Sequence, residues 1–155
     1  SACTTSGSRS KTLNSLRLMP GSTSGSNPRT MLKGLIVGLG GFLGAVSRYG
    51  LVQLLSSAMS TFPLATLVAN ISGSFLISLL VFSLPAEWPA LPYWRELLVT
   101  GFLGSLTTMS TFMLELYQLS LGQALLMAVS YGLVTLVAGL VAVYLGHSLA
   151  LWLQS

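Results

Sequence analysis

A cluster of uncharged hydrogen-bond donors lies at the centre of one apolar segment of this sequence. The segment runs from about Tyr93 to Leu119, and its centre, Gly101–Phe112, holds two glycines and five hydroxyl residues. Glycine is conformationally loose and clustered Ser and Thr compete for backbone hydrogen bonds, so this composition disfavours a regular helix. An unwound backbone in a bilayer must face protein or a wet cavity. The pattern therefore predicts an interrupted helix at membrane depth, a typical ion-binding device.

The polar side chains expected at membrane depth are neutral. They are Asn70, Thr107, Thr108, Ser110, Thr111, Tyr131 and Thr135. Phe112 adds an aromatic ring whose edge carries partial positive charge. Donors and ring edges without a buried acid favour an anion, which they can partly dehydrate without binding it too tightly to leave. The sequence contains no Ser-His-Asp set, metal cluster or phosphate loop, so we do not expect an enzyme.

Composition places the chain in the membrane. Of its 155 residues, 52% are hydrophobic and 6% are charged, and its mean hydropathy is +0.78. Soluble domains carry about 25% charged residues. The net charge of +4 comes from four basic residues before Met31, and beyond that point three basic residues balance three acidic ones. A nucleic-acid partner is therefore not expected, and the single cysteine, Cys3, excludes a disulfide within one chain.

The sequence divides into a tail and four membrane spans. Residues 1–30 are rich in Ser, Thr and Gly and contain no acidic residue, which predicts a disordered segment. This segment is interpreted as an organelle transit peptide, an upstream over-translation or a cloning scar, and the last two are favoured. The four predicted spans are 32–55, 62–84, 93–119 and 124–151, each long enough to cross a bilayer. The predicted fold is an all-α membrane protein of four transmembrane helices with a broken third helix.

Small residues recur at intervals of three or four in the first span: Gly34, Gly38, Gly41 and Ala45, together with the pair Gly40 and Gly44. Such spacing lets helices approach closely in lipid, so we interpret these positions as packing contacts. Arg48 is a lone cation in the same span. It either extends to the lipid headgroups or lines an aqueous vestibule that attracts anions.

Several other residues have two interpretations. Asn70 either binds a neighbouring helix or faces an ion. Thr135 either lines a path or bonds its own i−4 carbonyl. Glu115 lies either near the membrane interface or in a polar vestibule, and the interface is the favoured position. His147 is interpreted as an interfacial residue.

Three motifs in order resemble the Fluc/CrcB family of fluoride channels. They are Gly40–Tyr49 (GGFLGAVSRY), Thr66–Phe75 (TLVANISGSF) and Gly101–Phe112 (GFLGSLTTMSTF), the last followed by Glu115. The resemblance covers essentially residues 31–155, and the third motif is the most specific of the three.

The resemblance implies a passive fluoride channel that exports fluoride from the cytoplasm. It implies an antiparallel, dual-topology homodimer in the inner or plasma membrane, or in an organelle membrane if residues 1–30 are a transit peptide. It also implies a structural sodium ion held at the dimer interface by the backbone carbonyls of Gly104 and Thr107. The implied fluoride pathway comprises Arg48, Asn70, Met109, Ser110, Thr111, Phe112, Tyr131 and Thr135.

The sequence departs from the family pattern at two positions. Met109 stands where the family usually has phenylalanine, so a polarisable thioether replaces an electropositive ring edge. Ser105 stands where the family has its second glycine. The backbone carbonyls and Asn70 are unaffected by either change.

Two other functions are compatible with the residues. A small proton-coupled exporter of cationic drugs needs a carboxylate in the membrane, and Glu115 is the candidate for that role. A non-transporting assembly subunit would use only the faces of small residues. The Lys and Arg bias across the spans is slight, which favours insertion in both orientations, whereas the four cations of the tail would favour an inside N-terminus.

Overall fold

Four helical segments form the fold. The structure, a computed structural model, describes residues 27–55, 62–84, 91–122 and 125–155. Within these ranges every regular element is a helix, and four helical segments are long and apolar enough to cross a membrane. The predicted all-helical class with four membrane spans is confirmed for this part of the chain, and the protein is a multi-pass membrane protein.

Three spans are single helices and the third is composite. The single helices are α1 (Pro28–Leu55), α2 (Leu64–Ser83) and α6 (Leu125–Gln154). The third span consists of α3 (Leu91–Trp94), a π-helix (Arg95–Leu103), α4 (Gly104–Leu106) and α5 (Met109–Leu121). The π-helix, which is wider than an α-helix and rare, has no counterpart in the sequence prediction.

The first helix begins earlier than the sequence pattern indicates. Its first residue is Pro28, whereas the predicted tail extends to residue 30. Asn27 comes just before this helix, and its side-chain oxygen accepts a hydrogen bond from the Arg29 amide at 3.1 Å. Asparagine is a favoured N-cap, and proline is favoured at the first helical position. Residues 1–26 of the predicted tail lie outside the described residues.

The helix α1 packs against the π-helix through glycines that bring two backbones together. A Cβ atom at Gly40 would lie well under 3.0 Å from the Leu97 carbonyl oxygen, and one at Gly44 equally close to the Phe102 oxygen. Both glycines are buried. Any side chain at these positions would separate the helices, as the sequence spacing predicts for small residues.

A Cβ atom at Gly41 would also meet a neighbour, Ser105 Oγ, at 3.2 Å, but two other small-residue positions of α1 behave differently. A Cβ atom at Gly34 or Gly38 would meet no heavy atom within 4 Å. Both glycines are exposed, among exposed side chains such as Leu35 and Leu39. Within one chain, the interpretation of Gly34 and Gly38 as packing contacts is therefore wrong.

The helices α2 and α6 form the second close pair. A Cβ atom at Gly146 would lie well under 3.0 Å from the Phe75 carbonyl oxygen. Beside this contact the Ser78 hydroxyl donates to the Val143 carbonyl oxygen at 2.7 Å. The close approach of the two backbones and the Ser78 hydrogen bond together position α6 on α2. The bond also gives the Ser78 hydroxyl a partner in apolar surroundings.

The third span contains two consecutive residues with extended backbone. Thr107 has φ −77° and ψ 152°, and Thr108 has φ −149° and ψ 119°. The α-helical region has ψ near −42°, so helical geometry ends at Leu106 and resumes at Met109. These two residues lie inside the stretch Gly101–Phe112 in which the sequence predicts an interruption.

Candidate functional site

The side chain of Asn70 replaces the helical partners of Thr108. The Asn70 Oδ1 atom accepts a hydrogen bond from the Thr108 amide at 2.9 Å, and Asn70 Nδ2 donates to the Thr108 carbonyl oxygen at 3.2 Å. One side chain therefore satisfies both backbone groups of an extended residue. A carboxamide nitrogen carries two N–H groups, so a second donor remains for another acceptor. The interpretation of Asn70 as a residue that binds a neighbouring span is confirmed. The second N–H group is compatible with the other interpretation, in which Asn70 faces an ion.

The hydroxyl of Thr108 caps the helix that follows. Thr108 Oγ1 accepts a hydrogen bond from the Thr111 amide at 3.3 Å and is 3.1 Å from the Thr111 hydroxyl oxygen, to which it donates. The Ser110 hydroxyl oxygen lies 3.4 Å from the same atom. Threonine at an N-cap satisfies an amide that otherwise has no partner. The predicted hydroxyl residues therefore meet at the first turn of α5.

The interruption changes the environment of two carbonyl groups. In a continuous helix the Gly104 carbonyl would accept from the Thr108 amide, and the Thr107 carbonyl from the Thr111 amide. Here the Thr108 amide bonds to Asn70 and the Thr111 amide bonds to the Thr108 hydroxyl. Gly104 and Thr107 thus lose their regular helical donors, and both residues line one cavity. Backbone carbonyls of this kind suit a hard cation.

Thr108 lines two cavities. The larger, of about 300 Å³, is lined by Asn70, Gly73, Ser74, Ile77, Leu103, Gly104, Thr107, Thr108 and Met109. The smaller, of about 220 Å³, is lined by Ala45, Arg48, Tyr49, Val52, Ala65, Thr66, Thr108 and Thr111. We call them the Met109 cavity and the Arg48 cavity. Arg48 therefore faces the same space as Thr108 and Thr111, as the vestibule interpretation requires.

A second cluster surrounds Glu115. The Thr66 hydroxyl donates to Glu115 Oε1 at 2.7 Å, and the Tyr131 hydroxyl donates to Glu115 Oε2 at 2.8 Å. We call these three residues the Glu115 cluster. Tyr131 is fully buried, and its ring meets the ring of Phe112 edge to face with centroids 5.2 Å apart. The cluster is therefore continuous with Phe112 on one side and, through Thr66, with the Arg48 cavity on the other.

The position of Glu115 corrects one sequence-based expectation. Glu115 is half-buried and accepts hydrogen bonds from Thr66 and Tyr131, so the donor-rich region does contain an acid. Glu115 follows Thr111 by four residues and Phe112 by three, so all three share one face of α5. That spacing was available in the sequence. Thr66 was not among the predicted site residues. It precedes Asn70 by one helical turn on α2, so the two residues share one face of that helix.

The remaining predicted residues are distributed around these clusters. Thr135 is buried and its hydroxyl donates to the Tyr131 carbonyl oxygen at 2.7 Å, which is the local i−4 bond considered above. Met109 lines its cavity with 63% of its surface exposed, and Ser110 is also exposed. His147 meets the ring of Phe82 edge to face, with centroids 4.3 Å apart.

Comparison with known proteins identifies relatives of this chain. The model of a protein family described as "CrcB-like protein, Camphor Resistance (CrcB)" matches residues 35–147. A protein of Prosthecochloris aestuarii named fluoride-specific ion channel FluC is 43% identical over 122 residues, which cover 75% of this chain and 91% of that protein. Proteins with the same name from Chlorobium chlorochromatii and Francisella philomiragia are each 40% identical, over 77% and 72% of this chain and 92% and 89% of their own lengths.

Proposed function

The chain belongs to the CrcB-like protein family, and on that premise we propose that it is a fluoride-selective ion channel. The resemblance carried by the three sequence motifs is thereby confirmed. The relatives described above are named fluoride-specific channels. We extend that activity to this chain because the described residues supply a site with the chemistry that a small, strongly hydrated anion requires.

The observation that carries the proposal is the row of neutral donors around Thr108. Asn70 holds the extended segment by two hydrogen bonds, and Thr108 gathers Ser110 and Thr111 around its hydroxyl. Fluoride is bound by hydrogen-bond donors, and several weak donors can replace hydration water without trapping the ion. A cation would need acceptor oxygens along its path instead.

The proposed path begins in the Arg48 cavity. The Arg48 cation raises the local concentration of anions, and an ion there reaches the donors of Thr108 and Thr111 that line the same cavity. From this point the ion passes Asn70 and the edge of Phe112, with Ser110 beside it. The Tyr131 and Thr135 side of α6 completes the wall.

Met109 and Glu115 both weaken the binding of an anion along this path, for different reasons. Met109 contributes a thioether in place of a ring edge, so it solvates an anion less well than phenylalanine would. Glu115 carries the same sign of charge as the permeating ion and occupies the donors of Thr66 and Tyr131. An anion that approaches these donors competes with the carboxylate for them.

A sodium ion fits the carbonyls of Gly104 and Thr107. Both carbonyls lose their regular helical donors, and both residues border the Met109 cavity, where a hard cation can be coordinated by oxygen. When bound, sodium would supply positive charge that holds the interrupted segment in place. Two carbonyls are too few for a complete coordination shell, which is one reason to propose a second copy of the chain.

We infer that two copies pack as an antiparallel homodimer. The Met109 cavity opens to the outside of the subunit and is lined by Asn70, Thr107 and Thr108, and polar groups of this kind cannot face lipid without cost. An inverted second copy would cover that opening and supply the second pair of carbonyls. The exposed glycines Gly34 and Gly38 of α1 provide a surface that another helix can approach closely. The bilayer proposed is the inner or plasma membrane.

No observation favours the drug exporter that Glu115 could also serve. The relatives described above are named as channels. A scaffold subunit without transport would not require the paired hydrogen bonds of Asn70 with Thr108. The channel is therefore the function that we propose.

The test is ion efflux from proteoliposomes loaded with potassium fluoride or potassium chloride. A fluoride electrode and a chloride electrode report release after addition of a potassium ionophore. We expect rapid release of fluoride and none of chloride above that of protein-free liposomes. Equal release of the two ions, or no release of either, would contradict the proposal.

A further inference from the structure

At position 73 of α2, only glycine leaves enough space for the interrupted segment, Thr107 and Thr108, to pack against the helix. Gly73 is buried on α2, one turn after Asn70. A Cβ atom at Gly73 would lie well under 3.0 Å from Thr107 Cγ2, whereas Thr107 Cβ is 3.8 Å away. The Thr107 methyl group therefore sits in the space that a side chain at Gly73 would occupy.

The Thr107 side chain cannot turn away without losing a bond. Its hydroxyl donates to the Leu103 carbonyl oxygen at 2.9 Å, and its amide bonds to the same oxygen at 3.1 Å. This pair of bonds fixes the rotamer that directs the methyl group at Gly73. A larger residue at position 73 must therefore displace Thr107 as a whole, by about 1 Å to reach ordinary van der Waals contact.

We propose that Gly73 is a positioning residue that sets where the third span is interrupted. Gly73 and Asn70 lie one turn apart on α2 and hold consecutive residues, because Gly73 receives the methyl group of Thr107 and Asn70 binds the backbone of Thr108. Together, Gly73 and Asn70 fix the position of the Thr107 carbonyl and of the donors around Thr108. This inference rests on the proposed fluoride conduction, since conduction is the readout of that geometry.

The contact predicts a specific compensation. Gly73→Ala should leave a monodisperse protein with fluoride efflux reduced by about tenfold or more, since misplacing binding groups by about 1 Å in a preorganised site commonly has effects of that size. Thr107→Ser removes the methyl group, keeps the hydroxyl for Leu103 and leaves the backbone carbonyl in place. In the Thr107→Ser background, Gly73→Ala should therefore lower efflux by less than about twofold, because the nearest remaining carbon is 3.8 Å away.

Two control variants separate this contact from a general effect on helices. Thr107→Val keeps a methyl group at the contact, so Gly73→Ala should remain damaging in that background. Gly139→Ala introduces the same methyl group into α6, where the nearest atom, Ser74 Oγ, is 3.7 Å away, and it should conduct like the parent protein. All variants are measured in the same proteoliposomes at matched protein content, with chloride efflux recorded in parallel.

The outcomes are distinguishable from failure of the proposed function. No fluoride efflux from the parent protein contradicts the channel itself. Efflux from the parent together with an equal effect of Gly73→Ala in the threonine and serine backgrounds overturns the positioning role. If Gly73→Ala alone does not give monodisperse protein, the serine background decides: a conducting Gly73→Ala/Thr107→Ser protein supports the inference, and a silent one beside a conducting Thr107→Ser protein overturns it.

Discussion

The exchange Asn70→Asp tests the donor row with almost no change of shape. Aspartate keeps an oxygen to accept the Thr108 amide, which Asn70 Oδ1 now accepts at 2.9 Å. It replaces Nδ2, which donates to the Thr108 carbonyl at 3.2 Å, by a second oxygen. The interrupted backbone thus keeps one of its two bonds. In place of the other, a carboxylate oxygen faces the Thr108 carbonyl oxygen, which costs more than the about 1 kcal/mol of a lost hydrogen bond, and a negative charge enters the proposed path.

The expected effect on conduction follows from the charge. Two unit charges about 4 Å apart interact with about 4 kcal/mol at an effective dielectric constant near 20. Repulsion of that size lowers the occupancy of fluoride beside residue 70 by about a thousandfold, since about 1.4 kcal/mol corresponds to a factor of ten. We therefore expect Asn70→Asp to abolish measurable fluoride efflux from proteoliposomes.

The matched control places the same charge elsewhere on the third span. Gln118 is exposed on α5, about 15 Å beyond Thr108 at the helical rise of 1.5 Å per residue, and Gln118→Glu should conduct normally. Size-exclusion chromatography of both variants verifies assembly before reconstitution. Efflux from assembled Asn70→Asp protein within about threefold of the parent would refute the placement of Asn70 on the path, as would an equal loss in Gln118→Glu.

Two further predictions concern packing and the Glu115 cluster. Gly44→Ala should destabilise the protein by several kcal/mol, because the new Cβ would overlap the Phe102 carbonyl oxygen. The control Gly50→Ala should not destabilise the protein, because its new Cβ meets no atom within 4 Å. Thermal unfolding in detergent compares the two variants. Tyr131→Phe keeps the ring but removes the hydroxyl that donates to Glu115 at 2.8 Å, so it should change fluoride efflux by tenfold or more with little loss of assembly, and unchanged efflux would remove Tyr131 from the path.

Much of the fold could be predicted from hydropathy and small-residue spacing. Four apolar segments of spanning length predict four membrane helices, and the pair Gly40 and Gly44 predicts close approach to another helix. The π-helix Arg95–Leu103 could not be predicted, because its register depends on the backbone contacts that α1 imposes. The open positions Gly34 and Gly38 follow the same spacing as the packed ones, so periodicity alone cannot say which face meets a neighbour in the same chain.

The site was predictable as a set of residue types rather than as a set of bonds. Hydroxyl clustering located Thr107 and Thr108 within the predicted interruption, but no local pattern states that Asn70, from another helix, bonds the Thr108 backbone. The sequence left two positions open for Glu115, the membrane interface and a polar vestibule, because a carboxylate near a span end ordinarily reaches the interface. Its burial depends on two donors, Thr66 and Tyr131, that come from separate helices.

Under the proposed function, the Glu115 cluster accounts for how a site made of many donors could still release an anion. The hydroxyls of Thr66 and Tyr131 are already bonded to the carboxylate, and a hydrogen bond to a charged group contributes about 1.5–3 kcal/mol. A fluoride ion that takes either donor must break such a bond, so its net binding is weaker than the donors alone would give. When the ion leaves, the carboxylate takes the donor back, and no buried hydroxyl is left unpaired at any step. Under the proposed function, Glu115 therefore keeps the donors ordered and the ion mobile, because conduction requires binding sites from which the ion can depart.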